Sequence, residues 1–143
     1  AAHAEAAHGI DRMAGHYVHA GMIALDGVKM SKSLGNLVFV HKLTEAGHDP
    51  SAIRLAVFAG HYRTDRDFSD RILDEAEARL ARWRENLAKD VDKDEALATV
   101  ATLREALADD LATPRALSLL DATSGDHDRI VATAVDGLLG VRI

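Results

Sequence analysis

Apolar residues in the second half of the chain fall three and four positions apart. Ile72, Leu73, Ala76, Leu80, Trp83 and Leu87 form one such stripe, which predicts a helix from about Asp70 to Ala88 with Ser69 or Asp70 as its cap. Leu97, Val100, Leu103 and Leu107 repeat the stripe and predict a helix over about 96–107, after a charged turn from Lys89 to Glu95. Thr113-Pro114 reads as a cap followed by proline at the first helical position, starting a helix with Ala116, Leu117, Leu119 and Leu120. Ser124-Gly125-Asp126 breaks it. A last helix is expected from about His127 to Leu139, with Ile130, Val131, Ala134, Val135, Leu138 and Leu139 inward and Gly140 closing it. Upstream, Asp49-Pro50 predicts another capped start. Ile53, Leu55, Ala56, Val57, Phe58 and Ala59 make that helix apolar nearly all round, hence buried, with Gly60 at its end. His61 to Phe68 reads as a polar connector. Arg79, Arg82 and Arg84 alternate with Glu75, Glu77 and Glu85, as on a solvated face.

Before residue 48 the pattern differs. Alanines at 1, 2, 4, 6 and 7 favour a helix end within residues 1–13, with Gly9 closing or weakening it. Met22-Ile23-Ala24-Leu25 then meets Asp26-Gly27 and Val28. Asp-Gly between apolar residues is the sequence of a two-residue hairpin turn, so a strand over 22–25 returns at Val28 and delivers Lys29. Leu37-Val38-Phe39-Val40 is a short apolar run that should dock the far end of the following loop. Lys42 to Ala46 makes about one helical turn, stopped by Gly47. His3 and His8 are five apart and do not share a helix face; His16 and His19 could face a ligand, although a histidine beside a strand is more often a hydrogen-bonded structural residue. The fold class expected is mainly α: a short β-hairpin and loop segment, residues 1–47, followed by an antiparallel helical bundle, residues 48–143.

Composition narrows the function classes. The chain has 143 residues, 48% hydrophobic and 28% charged, enough for a real core. Aromatics at 4% favour helix over sheet. A formal net charge of -6 makes the whole chain a poor electrostatic trap for nucleic acid, while a local basic patch stays open. There is no cysteine, which excludes disulfides and thiolate metal sites on this chain. No apolar run approaches membrane-spanning length and no signal-peptide pattern opens the chain, so a cytoplasmic location is the expectation. The chain starts Ala-Ala-His rather than with methionine, which suits a piece of a longer protein.

The chemistry-bearing stretch is Lys29-Met30-Ser31-Lys32-Ser33, followed by Leu34-Gly35-Asn36. Two ammonium groups three residues apart can reach different oxygens of one polyphosphate, and the serines can donate hydrogen bonds to it. Gly35 permits positive φ, so the segment can fold over a ligand and lift away. A generic pair of lysines at this spacing is usually a solvated surface loop; the full five-residue string is much rarer. It resembles the signature loop of class I aminoacyl-tRNA synthetases, which closes on the triphosphate of ATP during amino-acid adenylation.

The resemblance extends along the chain. His19-Ala20-Gly21-Met22, Asp26, the lysine loop, Ala52-Ile53-Arg54-Leu55, Gly60-His61-Tyr62-Arg63, and Asp109-Asp110-Leu111 before Thr113-Pro114 resemble the C-terminal half of a cysteinyl-tRNA synthetase. Within that superfamily the chain most resembles the cysteine ligases of mycothiol biosynthesis. That likeness is carried by His16 to Leu25, Asn36 to Val40, Leu55 to Arg63, and Ala78 to Arg84. The ending Leu138-Leu139-Gly140-Val141 also resembles that family's natural C-terminus. Leu34 departs from the pattern, since the ligases often carry arginine there and the synthetases leucine.

The resemblance implies a reaction. ATP and cysteine form cysteinyl-adenylate and pyrophosphate, and the amine of glucosaminyl-inositol then attacks the activated carbonyl to give an amide and AMP. Lys29 and Lys32 are the implied catalytic cations, placed where charge develops on the leaving pyrophosphate. Ile23, Lys29, Met30, Ser31, Lys32 and Ser33 are the implied ATP or adenylate contacts; Ile23 would act through its backbone, and it reads equally as a core strand residue. The superfamily's His-Ile-Gly-His-type nucleotide signature is absent. So are the zinc ligands that hold the substrate thiolate: two are cysteines, and the histidine belongs to a His-His-Glu motif expected upstream of Ala1, which His3 does not replace. No metal ligand is therefore expected on this chain, and zinc is expected only in the full-length enzyme. The chain would need an N-terminal catalytic half to complete catalysis. Two other readings stay open: a C-terminal part of cysteinyl-tRNA synthetase, which would bring tRNA as partner, and a non-catalytic helical module.

Overall fold

The computed structural model describes residues 2–9 and 12–143. It is mostly helical, with one small sheet, in agreement with the expected class. Helix α1 is Ala2–His8, followed by strands β1 (Ile23–Leu25) and β2 (Val28–Lys29), α2 (Val40–Glu45) and α3 (Pro50–Phe58). Strand β3 (Arg66–Phe68) precedes α4 (Asp70–Asn86), α5 (Lys93–Ala108), α6 (Thr113–Ala122) and α7 (Ile130–Leu139). Of the stretch 1–13 read as a helix end, residues 1, 10 and 11 lie outside the described residues.

The hairpin forms where the Asp-Gly pair predicts it. Asp26 and Gly27 both take positive φ, 52° and 74°, the twist that suits a right-handed strand pair. Leu25 faces Val28 and Ala24 faces Lys29 across the antiparallel ladder.

The connector over 61–68 is corrected by the structure, because its last three residues are a strand. β3 lies parallel to β1, with Ile23, Ala24 and Leu25 opposite Arg66, Asp67 and Phe68, giving the order β2-β1-β3. Polar composition hid it: the pairing partner lies about 40 residues away, and the carboxylates that look solvent-directed instead accept from hairpin amides. The sheet thus draws strands from both sides of residue 47.

The core belongs to the helices. α3 packs on α4, and α5 packs on α6 and α7. Leu55, Trp83, Leu103, Leu117, Leu120, Val131 and Val135 are fully enclosed among them. Asp49 caps α3 by accepting from the Ser51 amide at 2.8 Å, and Asp92 caps α5 through Asp94 in the same way. The α5 stripe is rotated from the expected one: Ala96, Val100, Leu103 and Ala106 are buried while Leu97 is 46% exposed. Two of the four buried α5 residues are alanines, which a reading weighted by side-chain size misses. Thr113 is the first helical residue rather than the capping one, and the cap position falls on Ala112.

Two arginines expected on a solvated face are tertiary fasteners. Arg79 binds Asp121 at 3.0 Å, sharing that carboxylate with the buried Trp83 indole at 2.8 Å. Arg84 binds Asp49 at 2.9 Å. Burial alone would raise the Asp49 carboxyl, but the Ser51 amide and Arg84 together outweigh it and hold the group below the usual carboxylate range. The Ser124-Gly125-Asp126 break also does structural work. Asp126 is 6% exposed and accepts from the amides of His127, Val131 and Ala132 at 2.8–2.9 Å, the last two being orphan donors in the first turn of α7. No helix among the described residues is long and apolar enough to cross a membrane.

Candidate functional site

The lysine loop leaves the end of β2 and closes on itself. Lys32 to Gly35 is a turn, with the Gly35 amide donating to the Lys32 carbonyl at 3.2 Å and Gly35 at φ 66°. Asn36 staples the base of the loop. Its side-chain oxygen accepts from the Ser31 amide at 2.9 Å, and its amide nitrogen donates to the Lys29 carbonyl at 3.3 Å. The Ser31 hydroxyl accepts from the Leu34 amide at 3.3 Å and lies 3.2 Å from the Ser33 hydroxyl. Both lysines are exposed, and no salt bridge among the described residues includes either. The backbone is therefore tied while the two cations remain available to an external anion.

Met30 and Ser31 are half-buried; Ser33 is exposed. Ile23 sits on the same hairpin, one residue before Ala24, which faces Lys29. Its side chain is 41% exposed and lines a cleft of about 250 Å³ with Val57, Phe68, Ile72, Glu75 and Arg79. It is thus not part of this chain's core. The apolar run after the loop docks only in part: Leu37 and Val38 are half-buried, Phe39 and Val40 exposed.

The hairpin's position is set by residues 61–67. The Gly21 amide donates to the Tyr62 carbonyl at 2.7 Å, and Arg66 donates to the Met22 carbonyl at 2.9 Å. Asp65 accepts from the Met22 amide at 2.7 Å and Asp67 from the Gly27 amide at 2.8 Å. Gly21 must be glycine here, because a Cβ would collide with the Thr64 carbonyl. Arg66 reaches back from β3 to the carbonyls of Val57 and Gly60 at the end of α3, and burial lowers its guanidinium pKa. Sequence order alone assigns no role to Asn36, Asp65 and Asp67. The Asp-x-Asp alternation at 65 and 67, with period two, was the available signal for a strand edge.

A second cluster joins the 61–63 segment to the turn between α5 and α6. Tyr62 donates to Asp110 at 2.7 Å, and Arg63 binds the same carboxylate at 2.9–3.0 Å. His61 donates through Nε2 to the Asp110 carbonyl at 2.9 Å. The Tyr62 hydrogen bond, then Arg63 and the nearby His61, hold the Asp110 carboxyl below the usual range; the same Tyr62 hydroxyl and Asp110 raise Arg63. His3, His8, His16 and His19 are all exposed, and the described residues contain no group of three or more metal-ligating side chains.

Comparison with known proteins shows the family of this chain. A family model described as tRNA synthetases class I (C) catalytic domain matches residues 1–78, which include the hairpin, the lysine loop and β3. The chain is 77% identical over 143 residues to L-cysteine:1D-myo-inositol 2-amino-2-deoxy-alpha-D-glucopyranoside ligase 1 of Corynebacterium urealyticum, covering all of this chain and 35% of that protein. Ligases of the same name from Corynebacterium efficiens and Corynebacterium glutamicum (strain R) are 56% and 54% identical over 165 and 155 residues, again across the whole chain and 38% and 37% of theirs. The chain spans about a third of the length of the curated relatives it matches, in their C-terminal part. By its sequence over more than half its length, this chain belongs to the class I (C) tRNA synthetase catalytic-domain family.

Proposed function

We propose that this chain is the loop-bearing and helical part of an ATP-dependent ligase that activates cysteine as cysteinyl-adenylate and joins it to the amine of glucosaminyl-inositol. The observation that carries the reading is the 77% identity, along the whole chain, to a ligase whose name states that pair of substrates. The self-closed loop with two available lysines gives it a mechanism.

In the first step a cysteine carboxylate oxygen attacks the α-phosphorus of ATP, and the bond to the β-phosphate oxygen breaks. Negative charge builds on the departing pyrophosphate. Lys29 and Lys32, held on a backbone stapled by Asn36, stabilise that charge at little reorganisation cost. Ser31 and Ser33 supply further hydrogen bonds, and Met30 and Ile23 meet the ATP or adenylate from the loop and the neighbouring strand. In the second step the aminosugar nitrogen attacks the activated carbonyl, loses a proton, and AMP leaves.

The division into residues 1–47, carrying the loop, and 48–143, an antiparallel helical bundle, belongs to this reading. So do a cytoplasmic location and a zinc ion that binds the substrate thiolate through residues outside this chain. The partner surface is the N-terminal catalytic half. In support, no described residue before Ser51 is buried, and Met22, Ile23 and Val28 of the hairpin leave apolar area uncovered. The isolated chain, lacking half the nucleotide cradle, binds ATP weakly and is inactive.

Cysteine-dependent exchange of labelled pyrophosphate into ATP by the full-length protein tests the activation step. Adding glucosaminyl-inositol should then release AMP and form the amide. No exchange with cysteine, or exchange unaffected by loss of Lys32, contradicts the reading.

A further inference from the structure

Asp110 lies far from the lysine loop in sequence, and three consecutive side chains converge on it. His61 binds its carbonyl, while Tyr62 and Arg63 bind its carboxylate. The cluster is at the surface, with the Asp110 side chain 49% exposed, so hydrophobic burial does not account for it. The turn that presents Asp110 is also unusual. Asp110 and Leu111 both take left-handed φ, 50° and 53°, which disfavours non-glycine residues. The turn is held there by the Leu111 amide on the Leu107 carbonyl at 3.2 Å and the Ala112 amide on the Ala106 carbonyl at 3.1 Å.

The far side of the same segment grips the hairpin. Tyr62 takes the Gly21 amide through its carbonyl while its hydroxyl holds Asp110. Asp65, Arg66 and Asp67 add the bonds to Met22 and Gly27. One residue therefore links the α5–α6 turn to the strand pair that delivers Lys29.

We propose that Asp110 is a positioning residue for adenylation: by clamping Tyr62 and Arg63 it fixes the hairpin so that Lys29 and Lys32 meet the polyphosphate. The proposal rests on the reading of the loop given above. An exposed ion pair with no such task would contribute little to stability and nothing to rate.

The test is a double-mutant cycle in the full-length enzyme, read by cysteine-dependent ATP–pyrophosphate exchange with thermal unfolding in parallel. Asp110→Ala should lower kcat by about tenfold with the KM for cysteine changed less than about twofold. In a Lys32→Ala background the same change should cost less than about threefold, because one of the two cations it positions is already gone. Tyr62→Phe, which keeps the ring and removes only the hydroxyl, runs through the same cycle should Asp110→Ala not fold, and it should show the same non-additivity. A full tenfold loss in both backgrounds, or no loss in either, overturns the proposal while leaving the loop reading intact. If Lys32→Ala alone leaves the exchange unchanged, the loop reading fails and this proposal fails with it.

Discussion

The Tyr62 hydroxyl donates to the Asp110 carboxylate at 2.7 Å across 48 residues of chain. That bond, reinforced by Arg63, depresses the Asp110 pKa in the folded state. A depressed carboxylate contributes stability that is fully present above its unfolded pKa, about 3.9, and is lost as pH falls through the lower folded value. The gap in melting temperature between the unmodified chain and Asp110→Asn should therefore stay constant from about pH 7 to pH 5 and close below about pH 4. A gap that persists at the acid end would show that the contact acts without its charge.

The two lysines differ in where they stand. Lys29 ends β2 and is braced by Asn36 through its carbonyl, whereas Lys32 opens the exposed turn. Lys32→Ala in the full-length enzyme should slow adenylation by about a hundredfold and leave cysteine binding nearly unchanged. Stopped-flow or exchange kinetics at saturating cysteine give the number.

Asn36, on the outgoing side of the loop, is bonded to Lys29 and Ser31 on the incoming side, so Asn36→Ala should loosen the loop without removing a cation. The expected result is a fall of about tenfold in the exchange rate, smaller than for Lys32→Ala, since only preorganisation is lost. Equal losses in the two variants would mean that Asn36 itself touches the nucleotide.

Asp126 satisfies the His127 amide and two amides in the first turn of α7, those of Val131 and Ala132, from a buried position. Asp126→Ala leaves those donors unpaired and should cost about 2 kcal/mol in urea denaturation. Asp126→Asn keeps the acceptor for His127 and Val131 but turns its NH2 toward the Ala132 amide, and should cost less than Asp126→Ala, about 1 kcal/mol.

The helical part was largely legible in the sequence, because its signals are local. Asp49-Pro50 and Gly140 mark helix ends by geometry that a few neighbouring residues determine, and the stripe through Leu73, Ala76, Leu80 and Trp83 needs only a period of 3.6. The Asp-Gly turn was legible for the same reason. What escaped is non-local. β3 is a strand only because β1 lies beside it, and Asp65 and Asp67 look like solvent-facing charges until the amides of Met22 and Gly27 are placed against them. Arg79 and Arg84 likewise reveal their partners, Asp121 and Asp49, only in three dimensions. Of the candidate site, the five loop residues could be named from their order, but the staple by Asn36 and the brace through Tyr62 depend on chain closure.

The acceptor of the activated cysteine is the most direct test of the central claim. The full-length protein would receive ATP and cysteine, then glucosaminyl-inositol or cysteine-specific tRNA in separate reactions, with AMP release and product mass followed together. An amide of cysteine with the aminosugar, formed with stoichiometric AMP and no charging of tRNA, is the predicted result. Charged tRNA with no aminosugar product would contradict the account and make the loop and helices those of a synthetase.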